Sequence, residues 1–302
     1  MGLRCNTIKR LFPTPKRKFT NEWKTKTWEG LTSLSGSYIW TDGTHIYYSY
    51  KTPHYVLTES GWVVKTWEGL NQFFGSYIWT DGTHFYYSNT EDQYVLNGDT
   101  WVAKEWNVTL KYGTNVWTDG TNIYYSDSTN HYKLVDGVWE TKEWQGATDF
   151  SGDYAWTDGT NIYYSYGTKH YVLNGDTWVT KTWNVSYVYG NRIWTDGTHI
   201  YHSHNATQYI LNNGSWDEMV WSDNSSFAGT NIWTDGRGMY CSSGSTQYSL
   251  GVLPEEYSEK VGGVWSTKTI NALFRKGGGV WTEIAKADLP VGVKYICEEV
   301  TK

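Results

Sequence analysis

The sequence Trp-Thr-Asp-Gly (WTDG) occurs six times in this chain of 302 residues, at almost constant spacing. The copies begin at Trp40, Trp79, Trp117, Trp156, Trp194 and Trp233, so the interval alternates between 39 and 38 residues. A period of this length is typical of repeated supersecondary units, because one unit cannot bury its own apolar surface and packs on its neighbours. The repeat therefore indicates a closed propeller or an open solenoid.

Each repeat has the residue types and turn signals of four short β-strands. Aromatic residues make up 18% of the chain, and Trp, Tyr, Thr and Val predominate over helix formers. In the first repeat we predict strands at Tyr38–Trp40, Ile46–Ser49 and Tyr55–Leu57, with Asp-Gly in the first hairpin turn. The fourth strand carries a Trp-x4-Trp pair, Trp62 and Trp67. Because an offset of five is odd, the two indoles are expected on opposite faces of the sheet.

The Trp-x4-Trp pairs also indicate how the array closes. Five pairs follow the first five WTDG copies, whereas the last repeat runs through Tyr248–Leu250 without one. A sixth pair, Trp23 and Trp28, precedes the first copy. We therefore predict an all-β, six-bladed β-propeller over residues 23–250, in which an N-terminal strand completes the last blade. An open solenoid is the alternative.

A Tyr and a Trp seven residues apart give the repeats a family resemblance. The pairs are Tyr55/Trp62, Tyr94/Trp101, Tyr132/Trp139, Tyr171/Trp178 and Tyr209/Trp216. This spacing resembles that of kelch repeats, although the Gly-Gly pair that usually follows the second kelch strand is replaced by Tyr-Ser or similar residues. The resemblance implies a divergent kelch-like propeller, a fold that hosts enzymes, adaptors and lectins and so does not decide the function.

Residues 251–302 carry a second, unrelated pattern. Val-Gly-Gly-Val-Trp265 and Gly-Gly-Gly-Val-Trp281 are two copies of one short unit, and we predict a small C-terminal β-hairpin module here. Such Gly-Gly-Val-Trp units look like the hairpin modules at the ends of bacteriophage virion proteins. The resemblance implies that the protein belongs to a phage particle.

Charge is distributed unevenly along the chain. Residues 1–22 form a basic arm. Residues 1–21 carry six basic and no acidic side chains, whereas residues 22–250 carry 12 basic and 24 acidic ones. An acidic body repels phosphate backbones, so we expect no nucleic-acid partner. The sequence shows no secretory signal and no apolar run long enough for a membrane span, which agrees with a virion protein made in the host cytoplasm. Cys5, Cys241 and Cys297 lack metal or disulfide spacing, and we expect no cofactor.

The predicted strand order separates two faces of the ring. Asp-Gly and Asn-Gly turns lie on one, the WTDG face. The connections from the second to the third strand and from the fourth strand to the next blade lie on the other, the long-loop face. Aromatic rings beside Ser, Asn and Asp suit carbohydrate, because a ring covers the apolar side of a sugar while polar groups bind its hydroxyls. The candidate ligand-binding residues on the long-loop face are Tyr50, Phe73, Tyr112, Tyr166, Tyr187, Tyr189 and His204.

Some of these aromatics have a competing role in packing between blades. Leu34, Phe74, Tyr112, Phe150, Tyr189 and Phe227 recur one or two places before a Gly. Tyr50 and Tyr166 fall outside that register and are the strongest ligand candidates.

Recurring polar residues are expected to support the fold. The Asp of each WTDG copy suits a turn, and the His or Gln before each third-strand Tyr suits a hydrogen bond made in every blade. His199, His202 and His204 lie close in sequence, but His202 occupies a position held by Tyr in four other repeats. No carboxylate or Cys completes a ligand set there, so we predict no metal.

The sequence contains no pattern of an active site. Six-bladed sialidases need a cluster of Arg, whereas the repeats hold only Arg192 and Arg237. Several carboxylates are present, but no motif pairs two of them. We therefore predict a non-catalytic phage virion protein whose propeller binds a host surface glycan or receptor, with the N-terminal arm or the C-terminal module contacting other virion proteins. The alternatives are a purely structural decoration or spacer of the virion, and an intracellular kelch-like adaptor for a protein partner.

Overall fold

A computed structural model describes residues 19–90, 92–221, 226–236 and 238–252, and four further strands between 256 and 284. The described residues between 19 and 252 form six antiparallel sheets that pack side by side in a closed ring. This arrangement confirms the all-β, six-bladed propeller, and the contact between the sixth and first blades excludes the open solenoid. No helix among these described residues is long and apolar enough to cross a membrane.

Each blade consists of four strands, numbered first to fourth from the ring axis outward. Blade 1 consists of Ile39–Thr41, Ile46–Lys51, His54–Thr58 and Gly61–Lys65. Blade 2 consists of Ile78–Thr80, Phe85–Ser88, Gln93–Asn97 and Thr100–Ala103. Blade 3 consists of Val116–Thr118, Ile123–Asp127, Asn130–Val135 and Val138–Thr141. Blade 4 consists of Ala155–Thr157, Ile162–Gly167, Lys169–Asn174 and Thr177–Thr180. Blade 5 consists of Ile193–Thr195, Ile200–Asn205, Thr207–Asn212 and Ser215–Glu218.

Blade 6 combines the two ends of the propeller. Its strands are Ile232–Thr234, Met239–Gly244, Thr246–Val252 and, in the fourth place, Phe19–Thr25. The last pairs antiparallel with the third strand, with Phe19 opposite Val252 and Trp23 opposite Leu250. This confirms closure by an N-terminal strand, which begins at Phe19 rather than at the predicted residue 23. The first 18 residues of the predicted basic arm lie outside the described residues.

Apolar clusters fill the six spaces between neighbouring blades. Trp62 packs with Trp233 of blade 6, whereas Trp67 packs with Trp40 and with Trp101 of blade 2. The paired indoles therefore lie on opposite faces of their blade, as predicted. The fourth strand itself ends at Lys65, before the second Trp. There the chain turns toward the next blade, where the carbonyl of Glu68 accepts a hydrogen bond from the Trp101 amide at 2.9 Å.

A buried hydrogen bond fixes the first-strand Trp of every blade. The indole nitrogen of Trp40 donates to the hydroxyl of Ser49 on the second strand at 3.0 Å. The same pair recurs as Trp79/Ser88, Trp117/Ser126, Trp156/Ser165, Trp194/Ser203 and Trp233/Ser242, at 2.8–3.0 Å. The large ring is thus buried without an unpaired N–H group.

The connection between blades follows one pattern around the ring. It forms a two-residue strand, observed at Leu34–Ser35, Phe73–Phe74, Val188–Tyr189 and Phe227–Ala228, that pairs with the end of the preceding blade's second strand. A short 3-10 turn follows, at Gly36–Tyr38, Gly75–Tyr77, Gly113–Asn115, Gly152–Tyr154, Gly190–Arg192 and Gly229–Asn231. Each turn contacts the next, so the six surround the axis.

Glycine is required at the start of each 3-10 turn. A methyl group on Gly75 would overlap the backbone carbonyl of Tyr38 in the preceding turn, and one on Gly190 would overlap that of Tyr154. The remaining four glycines face the same obstacle. Close packing of backbone on backbone therefore sets the diameter of the ring at the long-loop face.

Four strands follow the propeller. They form two hairpins, Glu256–Val261 with Val264–Thr269 and Leu273–Gly277 with Val280–Ile284. Each of the two Gly-Gly-Val-Trp units supplies the start of the second strand of one hairpin, at Val264 and Val280.

Replacing Trp67 by Ala is expected to lower the free energy of unfolding by about 3–5 kcal/mol, because it leaves a cavity between blades 1 and 2. Trp67 is 3% exposed, whereas Val63 on the same blade is 47% exposed. Val63→Ala is therefore the control, and it should cost less than about 1 kcal/mol. Chemical denaturation of both variants measures the difference, and equal losses would contradict this packing.

Deleting residues 1–25 is expected to open the ring, because it removes the fourth strand of blade 6 and the buried ring of Trp23. That indole packs edge-to-face on Trp221 and Phe227, at 5.7 and 5.2 Å between ring centroids. Size-exclusion chromatography and thermal unfolding should show a less stable, association-prone protein. The control deletes residues 1–18 and retains the strand. If both truncated proteins melt at the same temperature, this strand does not close the ring.

Candidate functional site

The long-loop face carries the exposed aromatic side chains. Among the described residues, four tyrosine side chains are strongly exposed: Tyr50, Tyr112, Tyr166 and Tyr187. All four lie at the end of a second strand or in a connection between blades. Aromatic residues near the WTDG face differ, since Tyr47 and its counterparts direct their hydroxyls to the turn Asp.

Backbone pairing places candidates from different loops next to each other. Tyr50 ends a second strand and lies opposite Phe74 of the connection, and Tyr166 lies opposite Tyr189 in the same way. Asn89 pairs with Tyr112 in a single bridge. The third residue of the 3-10 turn then adds a side chain from the inner edge of the ring.

Five aromatic rings form a continuous cluster over blades 1 to 3, named here arc 1. Its members are Tyr38, Tyr50, Phe74, Tyr77 and Tyr112. The centroids of Tyr38 and Tyr50 are 4.7 Å apart, and Phe74 lies 5.4 Å from Tyr50. Tyr77 continues the row to Phe74 at 5.8 Å and to Tyr112 at 5.4 Å. These contacts hold the rings as one surface of apolar faces and phenol hydroxyls.

A second cluster, arc 2, lies over blades 4 and 5. Its members are Tyr154, Tyr166, Tyr189, Arg192 and His204. Tyr166 lies 4.6 Å from Tyr154 and 5.8 Å from Tyr189, and Tyr189 lies 5.3 Å from His204. The Arg192 guanidinium carbon is 5.1 Å from the centroid of the Tyr189 ring, within the range of a cation–π contact.

Small polar residues separate the two arcs on both sides. Where blade 3 meets blade 4, the Ser151 hydroxyl donates to Asn115 Oδ1 at 2.7 Å. Where blade 6 meets blade 1, the Ser35 hydroxyl contacts Asn231 Oδ1 in the same way at 3.1 Å. Blades 1 and 4 are opposite in a ring of six, so the two arcs face each other across the axis.

The structure brings five of the seven predicted site residues into the arcs. Phe73 is an error of the sequence interpretation: it is 0% exposed and packs against Trp101 and His54. The connection is a strand, so Phe73 and Phe74 point to opposite sides, and Phe74 reaches the surface instead. Tyr187 is exposed on the same face, but it is not a member of either ring cluster.

Sequence analysis missed four members of the arcs besides Phe74. Tyr38, Tyr77, Tyr154 and Arg192 each occupy the second position after the recurring Gly, where the 3-10 turn directs them toward the aromatic rings. Their common offset from Gly was a usable signal. The signal could be interpreted only once the 3-10 turns were known to form the inner ring.

The recurring His and Gln residues hold the connections between blades. His54 Nε2 lies 3.0 Å from the carbonyl oxygen of Asn71, and Gln93 Nε2 donates to the carbonyls of Asn89 and Leu110 at 2.7 Å. His131, Gln208 and Gln247 make equivalent contacts. This confirms their structural role and shows that they fix the loops that carry the arcs.

The WTDG aspartates are turn residues, as predicted. Asp42 Oδ1 accepts from the amides of Thr44 and His45, and Oδ2 accepts from the Tyr47 hydroxyl at 2.9 Å. Burial acts to raise the pKa of this carboxyl, but these hydrogen bonds outweigh it and the pKa lies below its usual value. Each carboxylate therefore stabilises its turn and anchors a core tyrosine.

His202 replaces a core tyrosine beneath arc 2. It is 1% exposed, and its Nε2 accepts a hydrogen bond from the Tyr189 amide at 3.2 Å. In blade 3 the hydroxyl of Tyr125 accepts from the Lys111 amide in the same way. Burial, aided by the charges of His204 and Arg192, lowers the pKa of His202 to about 3. No group of three or more potential metal ligands occurs within the described part of the chain.

Comparisons with known proteins assign the chain to no family. No family model matches the chain, and no curated protein matches it. One similar structure is an extracellular domain assigned to a hybrid two-component system of B. thetaiotaomicron, with 10% identity and a TM-score of 0.46 over 74% of this chain and 41% of that one. Another is PorZ, a surface component of the type-IX secretion system of Porphyromonas gingivalis, with 9% identity and a TM-score of 0.43 over 85% and 40%. The chain therefore spans about two-fifths of either structure, and the kelch-like and phage resemblances stay predictions.

The variant His202→Tyr is expected to reduce the acid sensitivity of the propeller. The folded-state pKa of about 3 lies below the unfolded value of about 6.5, so the neutral imidazole stabilises the fold above pH 6.5. That stability is lost as the pH falls from 6.5 toward 3. Melting temperatures at pH 7.5 and pH 4.5 test this, and the drop should be smaller in the variant. His54→Gln is the matched comparison. His54 is a buried histidine outside arc 2, and other blades have Gln at its position. An unchanged drop in His202→Tyr would contradict the assignment.

Proposed function

We propose that the long-loop face binds a host surface glycan and that the protein is a non-catalytic attachment component of a phage particle. The observation that carries the proposal is the restriction of strongly exposed tyrosine rings, among the described residues, to this one face. Rings preassembled into arcs lose little conformational freedom when a sugar stacks on them. The neighbouring hydroxyl, amide and imidazole groups supply partners for sugar hydroxyls.

The route of the chain supports this orientation. The third strand of blade 6 ends, and its fourth strand begins, at the WTDG face, where Phe19 lies opposite Val252. The segments that flank the propeller therefore join it on the face opposite the arcs. A particle held through either segment leaves the long-loop face accessible to a cell surface.

The proposed location in a virion depends on the Gly-Gly-Val-Trp units, which resemble phage end modules. The proposed lack of catalytic function depends on the absence of an active-site motif in the sequence. Many copies on one particle would raise a weak affinity for each glycan through multivalency. Mass spectrometry of purified phage particles tests the location. Absence of the protein from particles would favour the intracellular adaptor.

Glycan binding is tested by co-sedimentation of the full chain with host cells and with extracted surface polysaccharide. Tyr50→Ala and Tyr166→Ala are each expected to weaken binding about fivefold, because one stacking ring contributes roughly 1 kcal/mol. Val64→Ala is the control, since Val64 is exposed on a fourth strand away from the arcs.

Polysaccharide is sized after incubation. Intact polymer with saturable binding supports a lectin-like role, whereas release of oligosaccharide would show an enzyme and contradict the non-catalytic part of the proposal. Failure to bind any host material would favour a structural decoration of the virion. Equal loss of binding in Tyr50→Ala and Val64→Ala would exclude the arcs as the site.

A further inference from the structure

The two arcs differ in charge, and we infer that arc 2 selects an anionic sugar residue while arc 1 contacts neutral sugar. This inference rests on the proposed function and adds the chemical class of the ligand. Arc 1 consists of five neutral aromatic side chains, whereas arc 2 combines three tyrosines with Arg192 and His204.

Arg192 is the only arginine in the described part of the propeller. Its backbone belongs to the 3-10 turn Gly190–Arg192, whose carbonyl packs against Gly229, so the position of the residue in the inner ring is fixed. The guanidinium lies over Tyr189, and its Nη1 atom is buried and has no hydrogen-bond acceptor in the described structure. The positive charge is thus held against an aromatic ring instead of being neutralised at that nitrogen.

Charged and titratable groups also lie near arc 2. Asp153, the carboxylate of the adjacent turn, accepts a hydrogen bond from Asn191 at 2.8 Å through Oδ2. Burial, together with the charge of Arg192, lowers the pKa of His204, so this imidazole is neutral near pH 7 and can accept or donate a hydrogen bond. Lys169 pairs in register with Tyr166 and adds a second positive charge at the outer side of arc 2.

An anion on a sugar matches this arrangement. A guanidinium presents a planar pair of donors that fits a carboxylate or a phosphate, and it does so more selectively than an ammonium group. Tyr166 and Tyr189 offer ring faces beside it for the apolar side of the same sugar. The acidic body of the propeller opposes nonspecific binding of polyanions, so binding at arc 2 requires the local contact with Arg192.

The test compares acidic polymers with matched neutral ones. Polygalacturonate, hyaluronan and polysialic acid are each titrated beside their carboxyl-reduced forms, and glycerol-phosphate teichoic acid is included to distinguish phosphate from carboxylate. The full chain is expected to bind at least one acidic polymer about tenfold more tightly than its neutral counterpart at low ionic strength, and less selectively at high salt. Arg192→Gln should reduce the preference to within about twofold, and Arg192→Lys should restore part of it.

Further controls separate selectivity from folding and from glycan binding in general. Circular dichroism and melting temperature identify a variant that has lost its fold. Tyr50→Ala in arc 1 should weaken binding to acidic and reduced forms by the same factor. The inference is overturned if the wild type binds both forms equally, or if Arg192→Gln keeps the preference. Binding to no polymer, acidic or neutral, would count against the proposed function itself.

Discussion

Interleaved tryptophans between blades are the interaction on which the rest of the structure depends. Each four-stranded blade is apolar on both faces, and the only surface available to cover it belongs to the two neighbouring blades. Trp101, for example, lies against Trp40 and Trp67 of the preceding blade, at 6.2 and 6.1 Å between ring centroids. A blade therefore has no core of its own, and the ring must close for all six interfaces to be complete.

In each repeat, a small set of positions stabilises the fold, and the other positions are free to vary. Four features recur from blade to blade: the Trp–Ser hydrogen bond, the Asp in the hairpin turn, the His or Gln that holds the connection, and the Gly at the start of the 3-10 turn. The contact between the fourth strands of neighbouring blades is made in more than one way. Between blades 1 and 2, the Glu68 carbonyl accepts a hydrogen bond from the Trp101 amide. Between blades 2 and 3, the Asn107 side-chain amide both donates to and accepts from the Trp139 backbone. Features that do not recur, such as the two arcs, are consequently the best indicators of function.

The sequence predicted the blades and their closure because these follow from counting. Six WTDG copies and six Trp-x4-Trp pairs, one of them displaced to the N-terminus, allow few other architectures. The site was harder, because it depends on single residues. Assigning Phe73 to the surface was an error of one position in a two-residue strand, and such a shift exchanges the two faces. Arg192 and Tyr38 share one offset from the recurring Gly, but the sequence does not show that a 3-10 turn directs this position toward the arcs.

The N-terminal closing strand also determines how the ring would carry a mechanical load. If the long-loop face is held and the segment before Phe19 is pulled away from the WTDG face, the force runs along the strand Phe19–Thr25. Its hydrogen bonds to the third strand of blade 6 are then loaded in shear and share the tension, instead of opening one after another. Because this strand forms one edge of its sheet, the ring would yield there first, at the same pairing that completes it.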